Sequence, residues 1–226
     1  KVDLVLHQAE GYYWIKNKIL TGSGLSARMD QSKGWDGSFR YGLEDRKDRP
    51  FALSMQVSGP VEYIPPILKK TVKDKKFLHE LNGLGHIQGR FSGQVNLKKT
   101  PQGMDIDILA QEFNLQGEHR RLPWPAKAHG QNLSTTNHKV SLDSARVNLG
   151  TSPVHLLDTT LTWKEKPKLN IHNLEGRVDL DSFWPWLQEL PVQKMGNGPL
   201  HRLNLTGQAD IQDASLHIPL SSPQDS

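Results

Sequence analysis

The chain of 226 residues carries 28 basic and 24 acidic side chains, 19 glycines, 14 prolines and no cysteine. Without thiols there is no disulfide framework, zinc ribbon or cysteine nucleophile, and a formal charge of +4 with scattered cations is not the footprint of a nucleic-acid binder. The hydrophobic share of 35% is low for a globular domain, yet Leu, Ile, Val and Phe recur from end to end, as they do in a chain that folds. No run of 18 apolar residues is present, so none spans a bilayer as a helix. The sequence opens at Lys1 with no initiator Met and no leader pattern, which predicts a mature protein or an excised piece with any targeting segment outside it.

Period-two alternation dominates, separated at regular intervals by turn residues. The runs, in chain order, are Val2-Leu4-Leu6, Leu25-Ala27-Met29, Phe39-Tyr41-Leu43 and Phe51-Leu53-Met55-Val57. They continue with Phe91-Gly93-Val95-Leu97, Met104-Ile106-Ile108-Ala110, Ala145-Val147-Leu149, Leu174-Gly176-Val178-Leu180 and Leu203-Leu205-Gly207-Ala209-Ile211. Polar residues fill the gaps, such as Gln94, Asn96, Asp105 and Asp107. One face is therefore apolar and the other wet, the habit of antiparallel sheets.

Two segments leave the alternation. The first opens at Pro65-Pro66, carries Leu68, Val72, Leu78 and Leu81 along one side and stops at Asn82-Gly83, which predicts a helix. The second is predicted from Asp181 or Ser182 as N-cap through Phe183-Trp184-Pro185-Trp186 to a stop at Pro191. Each lies between two alternating strands. The strand after the first, Ser92-Gly93-Gln94-Val95-Asn96-Leu97, matches Thr206-Gly207-Gln208-Ala209-Asp210-Ile211 after the second. This reads as a diverged internal repeat. Residues 1–58 are then the C-terminal part of a preceding unit, 59–198 one full unit of helix plus sheet, 199–220 the start of the next, and 221–226 a disordered polar tail.

With these elements placed, the sequence resembles the AsmA-like family of Gram-negative envelope proteins, which includes TamB-type bridge proteins. The resemblance rests on Leu81-Asn82-Gly83-Leu84, the strand Gly89-Arg90-Phe91-Ser92-Gly93-Gln94-Val95-Asn96-Leu97, the corner Leu122-Pro123-Trp124-Pro125, and Leu180-Asp181-Ser182-Phe183-Trp184-Pro185-Trp186-Leu187. It implies a periplasmic segment of an inner-membrane-anchored protein, non-enzymatic, whose apolar groove shields lipid acyl chains during inter-membrane transport. The expected fold is mainly β: a curved antiparallel sheet with an apolar concave groove, taco-like, plus two short helices. Phe91, Val95, Leu97, Ile106, Ile108, Val147 and Val178 would line the groove, with acyl chains and other segments of the same longer polypeptide as partners.

Conventional chemistry is thinly represented. The ten histidines are scattered, and no metal-ligand spacing, cofactor motif or catalytic constellation accompanies them. Asp105 and Asp107 share a strand face, where they read either as a cation or acid–base pair or, like Gln94 and Asn96, as the wet side of a sheet. Gly22-Ser23-Gly24 and Gly83-Leu84-Gly85 read as turns. Asn132-Leu133-Ser134 and Asn204-Leu205-Thr206 match the glycosylation acceptor by chance, the second within an expected strand. Lys69, Lys70, Lys73, Lys75 and Lys76 make the first helix basic on its outer side, either as a solvated face or, through Lys69, Lys70 and Lys73, in contact with anionic lipid headgroups, where each Lys contributes about 1 kcal/mol. Phe183, Trp184 and Trp186 form either an exposed aromatic belt or a plug over the sheet. The alternative to a lipid groove is an envelope scaffold or adhesion module, a closed β-sandwich or β-solenoid with no ligand.

Overall fold

A computed structural model of the chain describes residues 7–44, 49–71, 75–101, 103–120, 122–163, 168–189 and 204–219. Among the described residues eleven strands form one sheet in sequential order, each antiparallel to the next. They are β1 (His7–Lys16), β2 (Ile19–Met29), β3 (Ser32–Gly42), β4 (Phe51–Pro60), β5 (Leu84–Thr100) and β6 (Gly103–His119). After them come β7 (Ala126–Thr136), β8 (Lys139–Leu149), β9 (Ser152–Thr162), β10 (Lys168–Asp179) and β11 (Gln208–Pro219). Between β4 and β5 lie a 3-10 turn (Val61–Tyr63), α1 (Ile64–Thr71) and α2 (Lys75–Asn82); between β10 and β11 lies α3 (Leu180–Glu189).

Both helical insertions and the Trp124 corner fall at one end of the strands, the helical end. At the other, the hairpin end, β1–β2 and β7–β8 are joined by two-residue turns. Asn17 and Lys18 both have positive φ, 50° and 58°, which matches the right-handed twist of the strands they join. The Asn137 side chain extends the β6–β7 ladder beyond its last pair: Ile106 N–H donates to its Oδ1 at 2.8 Å, and its Nδ2 donates to the Met104 carbonyl at 2.7 Å. Trp163 seals that turn, its Nε1–H donating to the Asn137 carbonyl at 2.7 Å from a ring that is buried.

Apolar residues step by two along each strand, but in β6 to β11 they step once by three. Thus Ile106, Ile108 and Ala110 are followed by Phe113 and Leu115, and Leu169 and Ile171 by Leu174, Gly176 and Val178. The residue in the gap is Gln111, Asn132, Asp143, Asp158, Asn173 or Asp213. The registers place the first four at one height across β6 to β9, while Asn173 and Asp213 follow at register shifts offset by one to two residues on β10 and β11; all six are exposed. Asn132, Asp158, Asn173 and Asp213 have φ between 48° and 57°, a conformation that Asn and Asp tolerate best among side chains with a Cβ. Gly24 in β2 and Asp36 in β3 repeat the device, at φ 59° and 50°. Each bulge restores the apolar residues to the same face, which strict alternation would otherwise reverse.

The β4–β5 pair is uninterrupted from Ala52↔Lys98 to Pro60↔Arg90. The shift enters on its other side, where Ser92 pairs with Glu112 but Gly93 with Ala110. A Cβ on Gly93 would lie 2.0 Å from the Leu109 carbonyl oxygen, so only glycine permits this approach.

Several expectations are corrected. The first predicted helix holds two, α1 and α2, while Val72 lies outside the described residues, as do Val2, Leu4, Leu6, Leu203 and Pro191. The N-cap of α3 is Asp179, not Asp181 or Ser182: its carboxylate accepts from Asp181 N–H at 3.1 Å and from the Ser182 hydroxyl at 3.1 Å. Among the described residues the last strand starts at Gln208, not at Leu205. Gly207, at φ 88°, precedes it, and its carbonyl accepts from Leu180 N–H at 2.8 Å, so Asn204-Leu205-Thr206 is not strand. Gly22-Ser23-Gly24 lies inside β2 at its bulge, and Gly85 lies inside β5. The two insertions do connect neighbouring antiparallel strands alike, but Val57 pairs with Gly93 while Val178 pairs with Ala209. Under the sequence match Ala209 corresponds to Val95, so the second register is displaced by two residues.

Candidate functional site

Cross-strand partners share a face, so the registers assemble the apolar side strand by strand. Leu53, Met55 and Val57 of β4 face Leu97, Val95 and Gly93 of β5; Val95 and Leu97 in turn face Ile108 and Ile106 of β6. Phe91 pairs with Phe113, Ala128 with Val147, and Val147 with Val154. All seven residues expected to line a groove therefore lie on one face.

Their surroundings differ. Phe113, Ala145, Val147, Val154, Ile171, Leu174, Val178 and Phe183 make one buried cluster, and Phe91 packs against its margin. Phe183 comes from α3, its ring stacked on Trp124 at 5.8 Å and 4°, with Trp186 against both rings. The aromatic residues of α3 thus cover the sheet, and Phe183 and Trp184 are buried. Val147 and Val178 are covered by the polypeptide itself, Val178 to 1% exposure.

Val95, Leu97 and Ile108 are half-exposed, as are Leu53, Met55 and Val57; Ile106 is buried. On β2 to β4 large side chains lie flat across glycine backbones: a Cβ on Gly37 would fall 2.5 Å from Met55 Cε, and one on Gly22 would fall 2.4 Å from the Phe39 ring. On β1, Tyr13 and Ile15 continue the same face at 56% and 66% exposure.

The opposite face is polar. The Ser54 hydroxyl donates to Asn96 Oδ1 at 2.7 Å and Gln94 Nε2 donates to the Ser54 hydroxyl at 3.2 Å, a small ladder across β4 and β5. Asp105 and Asp107 are exposed on this face, with Lys98 and Asn96 directly across, an arrangement for solvation. A depression of about 470 Å³ lies at the β6 bulge, lined by Arg90, Glu112, His129 and Gln131 among others. Arg177 and Asp210, paired at 2.8 Å across β10 and β11, shift one another: the hydrogen bond and then the charge of Arg177 hold the Asp210 carboxyl below its usual range, and Asp210 raises Arg177 likewise. Among the described residues no group of three or more His, Cys, Asp or Glu is placed to hold a metal ion. Nor is any described helix long and apolar enough to cross a membrane.

Lys69 is exposed on α1; the Lys70 side chain and Lys73 lie outside the described residues. The residues missed in sequence are those beyond each bulge, such as Leu115, Leu142 and Leu216, together with the whole of β1, β7 and β9. The signal was present: an apolar step of three with Asp or Asn in the gap. Compared with protein-family models, curated proteins and solved structures, the chain matches none.

Proposed function

We propose that the chain is a non-enzymatic lipid-binding segment, in which the apolar face around β4 to β6 forms part of a groove that shields acyl chains. In this reading it belongs to a longer, AsmA-like polypeptide anchored in the inner membrane, and works in the periplasm in phospholipid transport and envelope biogenesis. The observation that carries it is the half-exposure of Leu53, Met55, Val57, Val95, Leu97 and Ile108 on one contiguous patch, beside a region of the same face that is covered by α3. Each acyl methylene laid on such a surface gains about 0.8 kcal/mol without polar recognition. Bulges bend the strands that carry them, and those of β2, β3 and β6 to β11 flank the uninterrupted β4–β5 pair, which supports a concave surface centred there.

The closed cluster beneath α3 favours the second reading, an envelope scaffold whose apolar residues are only a core. Mass spectrometry of an organic extract of the purified chain, with uptake of a fluorescent fatty acid, separates the two. Co-purified phospholipid and saturable uptake, abolished by Val95→Glu through the cost of desolvating a charge, are expected. Neither lipid nor uptake would leave the scaffold.

A further inference from the structure

The charges of the molecule are unevenly placed between the two ends of its strands. At the hairpin end, Lys16 and Lys18 flank the β1–β2 turn, Lys98 and Lys99 close β5, and Lys139 and Lys168 open β8 and β10. Arg49 stands just before β4; all seven are exposed except Lys99, which is half-exposed. The described acids at this end are Glu44, 3.4 Å from Lys18, Asp105, across from Lys98, and Asp107, in one cross-strand row with Lys139 and Lys168. Seven cations against three acids leave an excess of four, as large as the +4 of the entire chain. By sequence, the segments 45–48 and 164–167, which join strands here, balance at zero and at +1. The helical end instead interleaves its cations with Asp30, Glu62, Glu80, Glu118, Asp179 and Asp181.

The spread of this rim selects its partner. From the β1–β2 turn to the start of β10 is eight strand spacings, roughly 40 Å at about 4.8 Å each. A single phosphate or headgroup would meet two or three of these cations; a plane of anionic headgroups would meet the row. Beside Lys16 stand Trp14, 48% exposed and of a type that favours the boundary between headgroups and hydrocarbon, and Ile15, 66% exposed and of a type that favours the hydrocarbon itself. We infer that the hairpin end docks onto an anionic bilayer surface, with the tip of β1 entering the interface and the apolar face meeting the membrane at its helix-free end. The inference rests on charge placement and not on the lipid-groove reading, so vesicle binding and fatty-acid uptake can fail separately.

The test is co-sedimentation of the 226-residue chain with vesicles of phosphatidylcholine mixed with phosphatidylglycerol, against phosphatidylcholine alone. Capture is expected on the anionic vesicles only, and release when salt rises from about 0.1 to about 1 M, as the Debye length falls from roughly 10 to 3 Å. Lys98→Gln, Lys99→Gln and Lys139→Gln together should weaken partitioning about a hundredfold, at about fivefold per lysine. Their circular dichroism and fatty-acid uptake should stay unchanged. Lys69→Gln with Lys75→Gln on the helices should leave capture intact, whereas Trp14→Ala should weaken it without altering its salt dependence. Equal capture by neutral vesicles, an equal loss from the helix pair, or tighter capture by double-stranded DNA than by anionic vesicles would overturn the docking.

Discussion

The sheet beneath α3 and the sheet around β4 are built from the same alternation, but one is roofed and the other is not. On the roofed side, Val178 and Ala145 are 1% exposed, with the stacked rings of Trp124 and Phe183 nearby. On the other, Met55 and Val95 remain half-exposed, although they sit on one of the longest uninterrupted ladders of the sheet. Backbone pairing is thus as complete in the second region as in the first, and what separates them is side-chain cover. A sheet face left this way must be satisfied by something other than the described polypeptide, or tolerate water.

Breaking the roof should have the largest effect on stability. Phe183→Ala is expected to cost about 3–5 kcal/mol, read from urea unfolding, because the ring is a buried member of the closed cluster and stacks on Trp124. Met55→Ala, on the uncovered side, should cost only about 1–2 kcal/mol, since part of its surface is already in water; equal costs would erase the distinction between the two regions. Gly93→Ala, which drives a methyl into the Leu109 carbonyl, should cost about 2–3 kcal/mol while leaving the α3 cluster intact, as fluorescence of the buried tryptophans would report. Asp179→Ala, which removes the carboxylate cap of α3, should cost about 1 kcal/mol.

The smallest expected effect is on pH dependence. The folded state holds the Asp210 carboxyl below its ordinary value of 3.8, chiefly through the hydrogen bond from Arg177. Stability from this exposed pair is therefore complete above that value and is lost as pH falls through the lower folded one. Asp210→Asn should flatten this part of an acid titration of stability by lowering stability slightly at neutral pH, while leaving that below the folded value unchanged.

Fold class was legible because alternation survives wherever one face is dry. It failed at β1, where Tyr12-Tyr13-Trp14-Ile15 is apolar on both faces and so has no period of two. It also failed at β7, where Ala126, Ala128 and Gly130 are too small to register as a pattern although they face Leu149, Val147 and Ala145. The seven proposed lining residues do share a face, since parity within a strand and pairing between strands decide that much. Which of them are covered was not legible: Phe183 and Trp186 identify α3 as aromatic, but where it lands depends on the chain returning at Gly207, outside any local period. The sequence does not single out Asp179 as N-cap, because Asp181 and Ser182, equally good formers of that bond, stand two and three residues further on.

The aligned interruptions from Gln111 to Asp158 have a consequence for how the hairpins find one another. A ribbon patterned only by twos is indifferent to sliding by two, since every oily side chain would still land on the oily side. A marker at matching height in four successive strands, β6 to β9, removes that indifference: a slipped hairpin would oppose an extra residue with none and lose its pairing there. The row works as a set of teeth that mesh in one alignment, so that a long monotonous meander is threaded correctly from one strand to the next.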